Sequence, residues 1–295
     1  MSQKRATVYA LATIVCWSTM ATAFKLSLEY VSPLQLILLA SCASWAFLCC
    51  LLVSQGRLQE LFKQDKKAYG WSLVFGAMNP VLYYILLFSA YDLLPAQEAQ
   101  AINYSWAIIM SLLAVPLLAQ RLTRIDVIAA VLCYFGVLVI ATHGAPFSLE
   151  FANIKGVMLA LASTFAWSLY WIFNKRDQRE AVLGLCLNFC VAVPLIIVVT
   201  IFTGDLANLL DANWRGYLGG VYIGLFEMGL AFVLWLKAMK LAKSTARLAN
   251  LVFISPFASL VFIYLFLGEA ILLSTLVGLV MIVFGLGLQQ RFAKQ

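Results

Sequence analysis

The stretch ALATIVCWSTMATAFK (residues 10–25) returns half a chain later as ALASTFAWSLYWIFNK (residues 160–175). At an offset of 150, Ala10, Leu11, Ala12, Trp17, Ser18 and Lys25 fall on Ala160, Leu161, Ala162, Trp167, Ser168 and Lys175. In a chain of 295 residues this is one half-length. Counting the first copy's own run, five apolar runs precede the second copy, so in a membrane the copies must enter from opposite sides. Inverted halves that face each other are a common architecture of secondary transporters, with the ligand site near the midplane between them.

Composition supports a membrane reading. The chain is 64% hydrophobic and only 11% charged, with a mean hydropathy of +0.94, whereas soluble domains carry roughly 25% charged residues. The charges cluster between apolar runs of about 18–25 residues, the length that crosses a hydrocarbon core of about 30 Å. The first run lacks an Ala-x-Ala exit and is expected to remain as a helix rather than be removed as a signal peptide. The net charge of +7 does not point to nucleic acid, because most Lys and Arg sit in alternate loops. The seven cysteines (Cys16, Cys42, Cys49, Cys50, Cys133, Cys186, Cys190) all lie inside apolar runs. They form no zinc-ligand or Cys-x-x-Cys pattern, so no metal or cofactor is expected.

The runs predict an all-α integral membrane protein of ten transmembrane helices, at 6–24, 33–53, 69–90, 96–119, 125–142, 156–174, 181–202, 216–236, 246–267 and 271–288. With a cytoplasmic N-terminus, every basic residue except Lys25, Lys155 and Arg215 falls on the inside. The positive-inside rule therefore places both termini in the cytoplasm, in the plasma (inner) membrane. Lys175, Arg176 and Arg179 read as inside anchors, and the connection 54–68 as a polar cytoplasmic loop.

The repeat extends further. At an offset of 149, Gln120-Arg121-Leu122 corresponds to Glu269-Ala270-Ile271, and Ala129 and Gly136 correspond to Gly278 and Gly285. Small residues seven apart let helix backbones approach in lipid, so packing explains them better than binding. Gly216, Gly220 and Gly224 read as a second packing seam.

Among candidate functional residues Glu227 stands first, near the middle of the eighth run with no basic residue within a turn. A carboxylate at that depth costs at least a few kcal/mol unless it is paired, protonated or facing water. Its functional readings are proton coupling and pairing with a substrate amine; a structural hydrogen-bonded acid is the rival. An offset of 148 sets Asn79 opposite it, followed by Pro80, whose ring removes a helix hydrogen bond and bends the helix. Gln100, Asn103 and Tyr104 share one helix face and offer uncharged groups to a polar ligand or to a neighbouring helix. Across the repeat, Arg247 and Asn250 open the ninth run, and Arg247 reads as a cytoplasmic-end anchor or gate partner rather than a binding group. Trp17, Tyr83, Tyr84, Trp106, Trp167, Tyr170 and Trp171 lie within spans and as a group can wall a cavity. Lys25 sits on the outer side against the charge rule; it snorkels, pairs with Glu29 or Glu98, or meets substrate. His143, the sole histidine, reads as an interfacial loop residue rather than a proton relay.

These residues resemble the EamA-type carriers of the drug/metabolite transporter (DMT) superfamily. The likeness rests on Trp17-Ser18 and Trp167-Ser168, on residues 100–106 (QAINYSW), and on Pro256 followed by Leu267-Gly268-Glu269. It covers nearly the whole chain as two five-helix units, 6–142 and 156–289. Ala107 stands where the fourth helix often carries proline, and Ser41-Cys42 near a place where many members carry arginine. If that arginine binds an anionic group in those carriers, anionic substrates are disfavoured here. The resemblance implies a ten-helix inverted-repeat carrier whose central cavity is lined mainly by the first, third, fourth, sixth, eighth and ninth helices.

The reading is a secondary transporter that moves a small metabolite outward by alternating access, an amino acid or related compound first among them, with proton coupling open. A channel-like pore or a non-transporting membrane component is the alternative. An enzyme is not expected, since no nucleophile–base pair, metal cluster or phosphate loop is present. The partners are a small-molecule substrate, the lipid bilayer and, if coupling holds, protons; nucleic acid is excluded.

Overall fold

The computed structural model describes residues 2–118, 124–147, 153–174, 177, 179–241 and 254–292. Among them the chain is helical, with no strand. Gln120–Leu122 of the repeat, Lys175, Arg176, Lys243, Arg247, Asn250, Lys294 and the predicted start of the ninth run at Ala246 lie outside the described residues.

In the first half the helices are α1 (Ser2–Ser18), α2 (Met20–Leu28), α3 (Pro33–Ser54), α4 (Lys66–Gly76), α5 (Tyr83–Leu93), α6 (Ala96–Asn103), α7 (Trp106–Leu118) and α8 (Arg124–Ala141). The second half has α9 (Ile154–Asn174), α10 (Ala181–Thr203), α11 (Asp205–Leu209), α12 (Trp214–Ile223), α13 (Leu230–Leu241), α14 (Ile254–Leu267) and α15 (Leu273–Phe292). Five stretches have the length and apolarity to cross a bilayer: Lys4–Leu28, Pro33–Ser54, Lys66–Leu93, Ala181–Thr203 and Trp214–Ala238. Shorter apolar helices run over Val127–Ala141, Ile154–Tyr170, Ser255–Leu267 and Leu273–Leu288.

Local chemistry sets many of the ends. Ser32 and Gln35 close a capping box with Pro33 in the first turn of α3, satisfying N–H groups that have no partner inside the helix. Asp65, Glu180 and Asn213 cap α4, α10 and α12 in the same sense.

Several predicted helices are not continuous. The first parts at Thr19, where the hydroxyls of Ser18 and Thr19 bond back to the carbonyls of Ile14 (2.7 Å) and Cys16 (2.8 Å) and compete with the helical ladder. The fourth parts at Tyr104 and Ser105, between α6 and α7. The third and eighth carry π-helical segments at Ala77–Leu82 and Gly224–Gly229. The connection 54–68 holds a 3-10 turn over Leu58–Phe62, and α11 was not expected at all.

The core runs the length of the bundle. At its edge α8 and α15 pack through the small residues anticipated for close approach: a Cβ on Gly136 would stand 2.7 Å from the Gly278 carbonyl, and one on Gly278 2.5 Å from that of Gly136. The Gly216, Gly220 and Gly224 row does the same work against α3 and the chain before it, meeting Val31, Leu39 and the Ala40 carbonyl.

Candidate functional site

The two π segments mark the site. A π segment accommodates an extra residue in an α-helix and is frequent where a helix serves function. Asn79 lies in the first with φ −148° and ψ 117°, non-helical values that open the chain just before Pro80; the Asn79–Pro80 peptide is cis. Glu227 lies in the second.

Glu227 is 7% exposed. The Tyr84 hydroxyl, fully buried, donates to its Oε1 at 3.0 Å. Its Oε2 has no hydrogen-bonding partner among the described residues. Asn79 is 4% exposed, and neither its Oδ1 nor its Nδ2 has a partner among them. Leaving such groups unsatisfied costs about 1–3 kcal/mol each. Two polar side chains in that condition, both in π segments, are hard to account for by packing alone.

Aromatic rings adjoin Glu227 through Tyr84. Tyr83 packs edge-on to Tyr84 (4.6 Å between centroids) and against Trp167 (4.5 Å), and Trp167 stacks on Phe232 (5.8 Å) and Tyr170 (6.1 Å). Trp17 packs on Trp235 at 5.4 Å, and its buried indole N–H is without a partner among the described residues. Around these rings runs a set of side-chain hydrogen bonds between helices. Asn103 Nδ2 donates to Ser163 Oγ at 2.9 Å, and Ser18 Oγ donates to Ser255 Oγ at 3.5 Å. The cluster therefore draws on α1, α5, α6, α9, α13, α14 and both π segments.

Trp17, Tyr83, Asn103, Tyr104, Trp167, Tyr170 and Glu227 meet in this cluster, and Gln100 is buried on α6 one turn before Asn103 and Tyr104. Asn103 is engaged with another helix through Ser163. Lys25 behaves differently from either expected pairing: its Nζ donates to the carbonyls of Tyr91 (2.8 Å) and Leu94 (2.9 Å), closing the C-terminal end of α5 rather than meeting Glu29 or Glu98. Orphan carbonyls at a helix end attract a cation, so the lysine has a structural partner. Tyr84, Ser163, Phe232 and Ser255 were not singled out individually from sequence. Their signal is tertiary, since Tyr84 and Glu227 are 143 residues apart.

Comparison with known proteins identifies the family and the fold. The sequence model of the EamA-like transporter family matches twice, at residues 4–142 and 154–289. The aromatic amino acid exporter YddG of Ancylobacter novellus is 26% identical over 81% of this chain and 81% of its own length. The uncharacterized transporter YvbV of Bacillus subtilis is 24% identical over 92% of this chain and 86% of its own. The protein PecM of Dickeya dadantii is 28% identical over 72% and 71%. A solved crystal structure superposes over 98% of this chain and 99% of that chain with a TM-score of 0.69 at 23% identity, which shows a shared fold. With nearly its whole length matched by two copies of one family unit, and several apolar helices of membrane-crossing length, the chain belongs to the EamA-like transporter family of multi-pass membrane transporters.

Proposed function

We propose that the chain is an alternating-access carrier that exports an amino acid or related small metabolite across the plasma (inner) membrane. In this reading it has ten spans in two inverted five-helix halves, 6–142 and 156–289, with both termini cytoplasmic. Two family matches of similar length support the division, and the distribution of Lys and Arg supports the orientation. The name of the Ancylobacter relative supports outward transport of amino acids. The ring cluster of Tyr83, Trp167, Tyr170 and Phe232, joined through Tyr84 to Glu227, suits a substrate that joins an apolar side chain to a charged head group.

The carrying observation is Glu227, a buried acid with one oxygen held by Tyr84 and the other unpartnered among the described residues. Such a group takes either a proton or the ammonium of a substrate, and Asn79, in the other π segment, is a neutral companion. Purified protein in sealed vesicles, loaded with amino acids and tested for counterflow of labelled substrate with and without a pH gradient, checks the reading. Glu227→Gln keeps shape and hydrogen bonding but cannot titrate. It is expected to leave folding intact and to reduce transport at least tenfold. If the acid couples protons, the variant also stops responding to the pH gradient; if it binds an amine, apparent affinity falls instead. Normal rate, affinity and pH response in Glu227→Gln would mean that the carboxylate is structural. Absence of counterflow with any amino acid would remove the substrate assignment.

A further inference from the structure

At the far end of α6 from the aromatic cluster lies an open surface hollow of about 460 Å³ whose wall includes Lys25, Gln97, Glu98, His143 and Glu269. Glu98 is 1% exposed, and its Oε1 stands 2.6 Å from His143 Nε2, while Oε2 has no partner among the described residues. His143 is held there at a conformational cost. Its φ is +51°, in the left-handed region. The His143 N–H bonds to the Ile140 carbonyl at 3.1 Å and the Gly144 N–H to that of Val139 at 2.8 Å. This is the Schellman ending of a helix, in which the left-handed residue is usually glycine. Here Gly144 comes one residue later, and histidine takes the position glycine would fill without strain. A non-glycine residue in that region is a reason to look for function, and what the strained turn delivers is an imidazole against a buried carboxylate.

We propose that Glu98 and His143 form a proton site, separate from Glu227, whose occupancy sets how firmly the tip of α6 is anchored. The other side of that tip is fastened independently. Glu269 accepts from the N–H groups of Ala96 (3.0 Å) and Gln97 (3.5 Å), and the Gln97 side chain bridges the Ala270 carbonyl and the Leu272 N–H. The remaining charged groups on the wall of the hollow are Lys25, from α2, and Glu269 itself, from the link between α14 and α15. Lys25 is turned onto the carbonyls of α5, which leaves the His143 imidazole as the basic group that meets Glu98. An imidazolium–carboxylate bond is roughly twice as strong as its neutral counterpart. Protonation of the pair therefore tightens the anchor, and loss of that proton as pH rises loosens it. Because α6 also carries Gln100 and Asn103 and ends at the break before α7, a looser tip gives these residues freedom to move. Which compartment's pH is sensed rests on the topology proposed above and would be the outside; the proton site itself does not depend on it.

Hydrogen–deuterium exchange of the wild-type protein in lipid nanodiscs tests this without substrate and without sidedness. After correction for intrinsic exchange, protection of the amides of residues 96–104 is expected to fall about fivefold between roughly pH 5.5 and roughly pH 7.5, while that of α3 stays constant. His143→Gly relieves the left-handed turn and removes the imidazole, so its tip should be weakly protected at both values. Glu98→Gln should show an intermediate protection that does not change with pH. Glu227→Gln should retain the wild-type response. A flat wild-type profile, or the wild-type response persisting in His143→Gly or Glu98→Gln, would overturn the proposal. Loss of the response in Glu227→Gln alone would move the proton to the central acid and would equally overturn it.

Discussion

Asn79 and Tyr84 allow the central pair to be dissected one side chain at a time. An amide buried at 4% exposure with both polar atoms unpartnered among the described residues weakens the fold, and an apolar residue in its place should be neutral or mildly stabilising. Asn79→Leu is therefore expected to leave the thermal midpoint in detergent unchanged or slightly raised while lowering counterflow severalfold; a fall in stability with transport intact would make Asn79 a structural residue. Tyr84→Phe has the opposite profile. It keeps the ring contacts with Tyr83 and Phe88 but removes the donor to Glu227 Oε1, a loss of about 1–3 kcal/mol if the carboxylate is left unsatisfied. A lowered thermal midpoint with altered pH response would agree with that, and an unchanged midpoint would show that the bond contributes nothing net. At this scale the sequence is uneven. Glu227 stands out from composition alone, since it is a lone acid in an apolar run. Its partner does not, because a tyrosine among several aromatics has no mark until the third and eighth runs are brought together. Lys25 was visible as an exception to the charge rule, but not its acceptors, which are backbone carbonyls and have no signature in a side-chain pattern.

At the level of helices, spacing was the dependable signal. The small residues at 129, 136, 278 and 285 announced a close seam, and α8 and α15 approach there until a Cβ on either Gly136 or Gly278 would meet the opposing backbone. Gly278→Ala is expected to cost about 1–3 kcal/mol, the range for overpacking a filled interface. Gly287→Ala, with nothing within 4 Å of the added carbon, should be neutral or slightly stabilising because alanine suits a helix interior better. Equal effects of the two on the thermal midpoint would argue against a glycine seam. Helix interruptions were less legible. Pro80 flagged the first π segment, but the second has no proline, and apolar periodicity cannot register one inserted residue in a uniformly hydrophobic run. Arg179 was similarly underestimated. Read as an inside anchor, it donates to the Ala68 carbonyl (3.2 Å) and Asn188 Oδ1 (3.2 Å), bonds to Ser72 Oγ and pairs with Asp177 at 2.8 Å, tying α4 to the start of α10.

The whole molecule poses the question of sidedness, which helix packing cannot answer because a bundle has the same contacts in either orientation. Charge can, since moving Lys and Arg across a membrane is what topology selection avoids. The loop holding Arg57, Lys63, Lys66 and Lys67 is basic, and Arg57 is paired there with Glu60 at 2.8 Å, which holds the Glu60 carboxyl below its ordinary range. The link carrying α11 is instead acidic, with Asp205 and Asp211 and no Lys or Arg between Thr203 and Asn213. One long apolar helix, α10, and the segments before it must place these two links on opposite faces if the span count is ten. Gln55 and Asn208 are both exposed and serve as reporters. In a background with the seven native cysteines replaced by alanine, a cysteine at 208 should react with an impermeant maleimide added to intact cells. A cysteine at 55 should react only after the membrane is opened. Reaction of both from the same side would break the odd number of crossings between them and, with it, the inversion of the two halves on which a site between Asn79 and Glu227 depends.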